Sequence, residues 1–354
     1  MPAILRRTIE DNDFSAGVRD DLTEMMEGIP HAPITRLQDS EAPDAAAWEE
    51  YIRPYRGMDW LQVPWFFAET YFYRRILAET GYFVPKSPHY RMDPFHAQKS
   101  SGLEESEPAI RGLISQVNAW SLVPEQRWAA LDEILRMDLW GNRDDLSNFP
   151  AGEGGRDFEG KSTSGMDHII IDERDRALSF FGMNASSLQR LDIVLDNVGY
   201  ELVADLALSD LLLGFGLVEK IKLRLRPHPM FVSDAHRADL EAGLRWLIRE
   251  GDPGLAAFGE RVKGHIEDSR LTPTVDFFWA SPCSMWEMPQ DLAQDLGGAQ
   301  LVILKGDLNY RRLLGDRHWP FTTPFGDIVH YFPTALLAIR TLKAELACCL
   351  EGQM

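Results

Sequence analysis

The sequence predicts an α/β protein, in which a mostly parallel sheet is covered by helices on both faces and preceded by a helical amino-terminal part. Three observations carry this expectation. Residues up to about Trp140 place apolar side chains at helical spacing and show little strand character. The stretch Gln189–Leu213, QRLDIVLDNVGYELVADLALSDLLL, joins a short apolar run to a polar corner and then to helical spacing. From there to the end, strand-like runs alternate with helical segments, as in a parallel sheet with crossover helices.

In chain order, the spacing predicts helices over Phe14–Glu27, Asp44–Tyr55, Val63–Thr80, Pro108–Trp120 and Pro124–Leu139. The third opens with Pro64 near its first turn, where a missing N–H is harmless, and carries six aromatic residues in its first eleven positions. These aromatics are expected in the core. Glu69, Arg74 and Arg75 form the polar edge of that helix, read as a solvated face rather than a reach into a site. After LWGNRDDLS, in which Asn142 and Asp145 read as turn and capping residues, the run Asn148–Gly165 has linker composition. A domain boundary is placed there, dividing residues 1–150 from 151–354.

Ile169–Ile171 reads as a short strand, and Leu191–Leu195 as a buried one that stops at Asp196 and Asn197. In an open α/β sheet such a corner faces the crevice where ligands bind. A carboxylate beside an amide carbonyl suits an oxygen-preferring divalent cation. The same pair is also ordinary turn chemistry. A helix follows from Gly199 to about Leu213. Val218–Arg226 alternates apolar and basic residues, as a strand with one exposed or ligand-facing side would. Asp234 precedes an amphipathic segment and reads as its N-cap. Val275–Trp279 reads as a buried strand, and Leu301–Leu304 as another that continues into KGDLNYRRLLGD. There Lys305 and a helix N-terminus offer an anion a cradle, though not a P-loop. A last helix is expected from about Pro333, with Arg340 and Lys343 three apart on one face. That pair reads equally as a phosphate clamp or as cations serving the helix dipole.

Composition limits the function. The formal net charge of -19 argues against nucleic acid or an anionic membrane surface as the main partner. Three cysteines, two of them adjacent, form no disulfide framework. The first residues turn acidic before an apolar stretch develops, and no apolar run approaches the roughly 20 residues of a bilayer span. A cytoplasmic protein with reduced thiols is expected; oligomeric state is left open.

The segments LDNVGYELVADL, HPMFVSD, LKGDLNYRRLLGD and RTLK, with the earlier VPWFFAETYFYRRI and LWGNRDDLS, together resemble the DUF89 family of damage-control phosphatases, in particular its ARMT1-like subfamily. The resemblance implies a three-layer α/β/α sandwich behind a helical amino-terminal part. It implies a divalent metal, Mn2+ or Ni2+ with Co2+ or Mg2+ as alternatives, held by Asp196, Asn197 and Asp234. It implies substrate contacts from Lys305, Gly306, Asp307, Leu308 and Asn309 and from Lys343, to which Arg340 is added, and it places Glu201 close enough to orient metal-bound water. The implied reaction is hydrolysis of small phosphometabolites such as fructose 1-phosphate or fructose 6-phosphate by metal-activated water, with Asp307 or Glu201 taking the proton. Asp196 as a covalent nucleophile is the rival, disfavoured because the Asp-x-Asp pair of aspartyl-phosphate enzymes is missing. Methyl transfer from S-adenosylmethionine to protein carboxylates, also ascribed to the subfamily, finds no Gly-rich turn directly after the first strand. A non-catalytic sugar phosphate binding protein is the third reading.

Overall fold

The computed structural model describes residues 1–141, 169–183, 187–249 and 251–350. Helices α1 (Pro2–Glu10), α2 (Ala16–Gly28), α3 (Ala45–Ile52), α4 (Trp65–Glu79), α5 (His96–Glu105), α6 (Glu107–Ser121), α7 (Arg127–Gly141) and α8 (Arg174–Met183) come first. The remainder runs β1 (Leu188–Val194), α9 (Tyr200–Gly214), β2 (Val218–Leu225), α10 (Arg237–Arg249), α11 (Pro253–Glu267), β3 (Leu271–Val275), α12 (Gln290–Gly297), β4 (Leu301–Lys305), α13 (Asp307–Leu313), α14 (Phe325–Val329) and β5 (Leu336–Ile339). The strands form one sheet in the order β3-β2-β1-β4-β5, every neighbouring pair parallel. The predicted α/β class is the observed one.

Both faces of the sheet are covered, and the period of two along each strand decides which residue meets which layer. Leu191 and Ile193 of β1 and Leu301 and Ile303 of β4 pack with α6, α7, α9, α10 and α11. Val194, Val302 and Leu304 pack on the opposite side with α12, α13 and the 3-10 turn Phe277–Ala280. A separate aromatic core joins α1 to α4 with the loop residues Met230, Phe231 and Val232. The linker run, Asn142, Asp145 and the expected boundary near residue 150 lie outside the described residues. Helices α6 and α7, which precede it, belong to the core of the sheet layer.

Several expectations need correction. Ile169–Ile171 is not a strand. The strand expected at Val275–Trp279 lies at Leu271–Val275, and Asp276 caps a 3-10 turn in its place by accepting from Phe278 N–H at 2.7 Å. Pro273 disguised it, but β3 is an edge strand, where a missing N–H is tolerated. The helix expected from Pro333 is the edge strand β5 followed by irregular chain, so Arg340 and Lys343 share no helix face. A run as short as LLAI does not distinguish strand from helix by periodicity. Arg74 is no surface residue: fully buried, it pairs with Asp39 and Asp44 at 2.8 Å each. Among the described residues no helix is long and apolar enough to cross a membrane.

Candidate active site

Strand β1 has β2 on one side and β4 on the other, so the sheet order reverses beside it, and ligands of such sheets bind at the strand carboxyl ends there. Asp196 and Asn197 follow β1; Gly306 and Asp307 follow β4. Gly306 has φ +83°, and a Cβ on it would sit 1.9 Å from Asp196 Oδ2, so only glycine lets β4 turn this close to the carboxylate. The third wall is the loop between β2 and α10, in which Phe231 (φ 47°) and Val232 (φ 62°) adopt left-handed backbone that bulky side chains resist. The strain is held by contacts on both sides: Phe231 lies 4.7 Å from the Tyr73 ring of α4, and Val198 N–H and Ala235 N–H bond Ser233 and Asp196 carbonyls at 2.8 and 2.7 Å. This brings Asp234 opposite Asn197. Asp234 does not cap α10; Asp239 instead accepts from His236 N–H at 3.0 Å.

The corner is buried and acidic. Arg226, from the basic side of β2, donates to Asp234 Oδ2 at 2.6 Å, to Asn309 Oδ1 at 3.2 Å, and lies 3.6 Å from Asp196 Oδ1. Asn197 Nδ2 donates to Asp196 Oδ2 at 3.0 Å and to Glu201 Oε2 at 2.8 Å, while its Oδ1 accepts from Ser233 Oγ at 2.7 Å. Burial, with the negative charges of Asp234 and Glu201, pushes the Asp196 carboxyl well above its ordinary range against the pull of Arg226 and Lys343. A divalent cation relieves that like-charge crowding, and two carboxylates beside an amide oxygen are the donors such a cation prefers. Asn197 Oδ1 spends one lone pair on Ser233 and has a second to offer a metal while Nδ2 stays on Glu201. The residues therefore fit an oxygen-preferring divalent metal.

The structure places the other expected residues as follows. Lys305 continues the Leu301, Ile303 side of β4, so its side chain enters the helix layer instead of the crevice. It is fully buried and donates to Asp138 Oδ1 of α7 at 2.5 Å and, in α9, to Asp205 Oδ1 at 2.9 Å and Glu201 Oε1 at 3.1 Å. Burial alone would discharge it, but Asp138, Asp205 and Glu201 hold its pKa well above the ordinary lysine value. Glu201 is thus clamped between Lys305 and Asn197. Asn309 is buried too, its Nδ2 bonding the carbonyls of Lys305 at 2.8 Å and Leu195 at 3.2 Å, which ties the ends of β4 and β1 together. Asp307 starts α13 with Oδ1 2.6 Å from Arg340 Nη2 and 3.3 Å from the Lys343 N–H. Arg340 is engaged below, stacked 4.2 Å over Tyr310 and donating to the Ala344 carbonyl at 3.0 Å.

Asp196, Asp234, Asp307, Leu308 and Lys343 line a cleft of about 750 Å³. Its outer wall holds residues that the sequence reading missed or placed elsewhere: Trp65 and Glu69 of α4, Arg311, Asp316 and Phe231. The pairing of Glu69 with Arg311 spans 242 residues and left no local signal. Arg226 did leave one, as the last basic residue of the β2 alternation.

A second acidic group lies nearby. Asp93, His236 and Asp239 bring ligand atoms within 4.8 Å of one another. The Lys99 ammonium already sits among them, 2.9 Å from Asp93, 2.7 Å from Asp239 and 3.5 Å from His236 Nδ1. Its charge holds the Asp239 carboxyl far below the usual range despite burial, so this cluster is a closed ion pair.

A parallel sheet with a buried acidic corner and a lysine in one cleft suits an enzyme that acts on phosphoryl groups. The family model of the damage-control phosphatase ARMT1-like domain matches residues 1–354, and the chain belongs to that family. It is similar to the damage-control phosphatase ARMT1 of Xenopus laevis, 32% identical over 344 residues covering 90% of this chain and 77% of that one. The Danio rerio protein of the same name is 31% identical (90% and 76% covered), and that of Homo sapiens 30% (87% and 75%). A solved DUF89 family protein from Pyrococcus horikoshii, 12% identical, aligns over 96% of this chain and 94% of its own with a TM-score of 0.43. The chain is a phosphatase, and its substrate is a small phosphorylated metabolite.

Proposed function

We propose that the chain is a divalent-metal-dependent phosphomonoester hydrolase that removes phosphate from sugar phosphates such as fructose 1-phosphate or fructose 6-phosphate, as metabolite damage control. The observation that carries the reading is the corner itself: Asp196 and Asp234, both buried, share one guanidinium and open onto the cleft that Lys343 lines. Asp196, Asp234 and Asn197 would hold the metal, with Mn2+ or Ni2+ favoured over Co2+ or Mg2+. Bound there, a cation would polarise the phosphoryl oxygens and acidify water at the corner.

The chain's own residues do the rest. Lys343 neutralises the phosphoryl group, and Gly306 and Leu308 bring backbone to its edge. Asp307 lines the cleft, is fixed by Arg340, and takes the proton of the attacking water. The water oxygen bonds phosphorus, the ester P–O bond breaks, and the leaving alkoxide takes the proton that Asp307 accepted, which restores the carboxylate. Glu201, Lys305 and Asn309 act from behind: they fix the amide of Asn197 and the ends of β1 and β4. The test is phosphate release by metal-stripped protein with each cation added back, beside Asp196→Ala. We expect metal-dependent turnover in the wild type and a loss of at least about a thousandfold in the variant. Equal release with and without metal, or an active variant, overturns the reading.

A further inference from the structure

We propose that helix α4 supplies a hydroxyl-reading wall, so that the cleft takes a phosphorylated polyol with its phosphate toward Lys343 and its hydroxyl groups toward Trp65, Glu69 and Asp316. The inference rests on the phosphatase reading and assigns the residues that select the substrate. A cleft of about 750 Å³ has the size of a pocket for a whole small molecule and far exceeds a phosphate group.

The wall is built around one guanidinium. Arg311 donates Nη1 to Glu69 Oε2 at 2.8 Å, Nε to Asp316 Oδ1 at 2.8 Å and Nη2 to Asp316 Oδ2 at 3.2 Å, with its plane over the Phe66 ring at 5.1 Å. Trp65 stands one turn before Glu69 on the same helix, and both line the cleft. Lys343, the cleft's lysine, draws the phosphate to the corner beside Asp196, which leaves the rest of the molecule to the Glu69 and Asp316 end. Each carboxylate offers about four lone-pair sites, more than Arg311 uses, and ionised carboxylates only accept. Neutral groups that donate, arrayed along a carbon chain, satisfy them; hydroxyl groups do. Trp65 is 57% exposed at the rim, and its flat apolar face suits the C–H face of a polyol whose hydroxyls point at the acids. An arginine strut serving stability alone needs neither the open cleft nor the exposed indole.

The experiment compares kcat/KM for fructose 6-phosphate with that for phenyl phosphate, which carries no hydroxyl groups, in wild type, Trp65→Ala, Glu69→Gln and Asp316→Asn. We expect the ratio to fall about tenfold or more in each variant. A ratio within twofold of wild type in Trp65→Ala and Glu69→Gln overturns the inference; Trp65→Ala, at an exposed position, guards against misfolding as the cause. If the wild type releases phosphate from neither compound with any metal, the metal-dependent sugar phosphate reading fails. The wall is then read by melting-temperature shifts with fructose 6-phosphate and with inorganic phosphate. A larger shift from the sugar phosphate that the variants lose supports it, and equal shifts in all proteins overturn it.

Discussion

Two acidic clusters flank the loop that ends in Asp234, and they differ in what sits among their oxygens. Around Lys99, the carboxylates of Asp93 and Asp239 face an ammonium that is itself nearly fully buried. Around Asp196 and Asp234, Arg226 meets the pair at its edge, and the pair lines the cleft together with Lys343, whose charge pulls on Asp196. The donor sets look alike, and His236 even makes the first the more metal-like. What separates them is charge balance and access: a cluster already neutralised by a lysine has nothing to gain from a cation, whereas one with raised carboxyl pKa has. Lys305, with Asp138, Glu201 and Asp205, is a third cluster, its one ammonium shared by three carboxylates and its side chains fully buried behind the corner, so that access rather than charge balance closes it.

The largest effect that separates closed from open is expected at Lys305. Replacing it by Met strands three buried carboxylates, a change that typically costs about 3–5 kcal/mol. It also releases Glu201 and so the amide of Asn197. We expect Lys305→Met to melt well below wild type and to lose kcat by about a hundredfold or more, with metal affinity weakened in a calorimetric titration. A phosphate ligand in the cleft would behave differently: KM would rise while melting temperature and metal affinity stayed put. That second pattern would mean Lys305 leaves its cluster when substrate binds.

A smaller effect follows from opening a closed cluster on purpose. Lys99→Ala removes the ammonium and leaves Asp93, Asp239 and His236 facing a void, with a stability loss of about 3 kcal/mol. In an Asp196→Ala background, where the corner has lost a ligand, we expect no tight Zn2+ or Ni2+ binding by calorimetry. Adding Lys99→Ala to that background should create a site and recover melting temperature on metal addition. Tight binding in Asp196→Ala alone would show that charge balance does not distinguish the clusters.

The corner at Asp196 was legible because three local signals coincide there: an apolar run, a polar pair and a change of period. The strand before Lys305 was legible for the same reason, and its alternation already said that Lys305 shares a side with Leu301 and Ile303. Which side faces helices depends on the crossovers, and no local pattern states that. Strand β3 was obscured by Pro273, tolerable only because the strand lies at an edge, itself a property of the whole sheet. Glu69 and Arg311, or Lys305 and Asp138, meet across 242 and 167 residues. Such pairs are set by packing and are invisible to spacing.

The smallest expected effect concerns the other end of the same loop, where a closed site holds a neutral group. His228 is buried beside Asp44, which Arg74 already engages, and its Nδ1 contacts the Pro229 carbonyl at 3.1 Å, so Nδ1 carries the proton of the neutral ring. Burial lowers its pKa to about 4, against the attraction of Asp44. An unfolded histidine titrates near 6.5, so between these values the unfolded chain binds the proton and the native one does not. The stability His228 contributes is therefore fully present above about pH 6.5 and lost as pH falls toward 4, a change of roughly 3 kcal/mol at most. In His228→Phe this part of the slope disappears. Urea midpoints of both proteins at pH 7 and pH 4.5 should show the wild type losing about 2 kcal/mol more than the variant. Parallel losses would mean the ring takes up its proton in the folded state, with Asp44 as its partner, and that the Arg74 cluster has charge to spare as the cleft corner does.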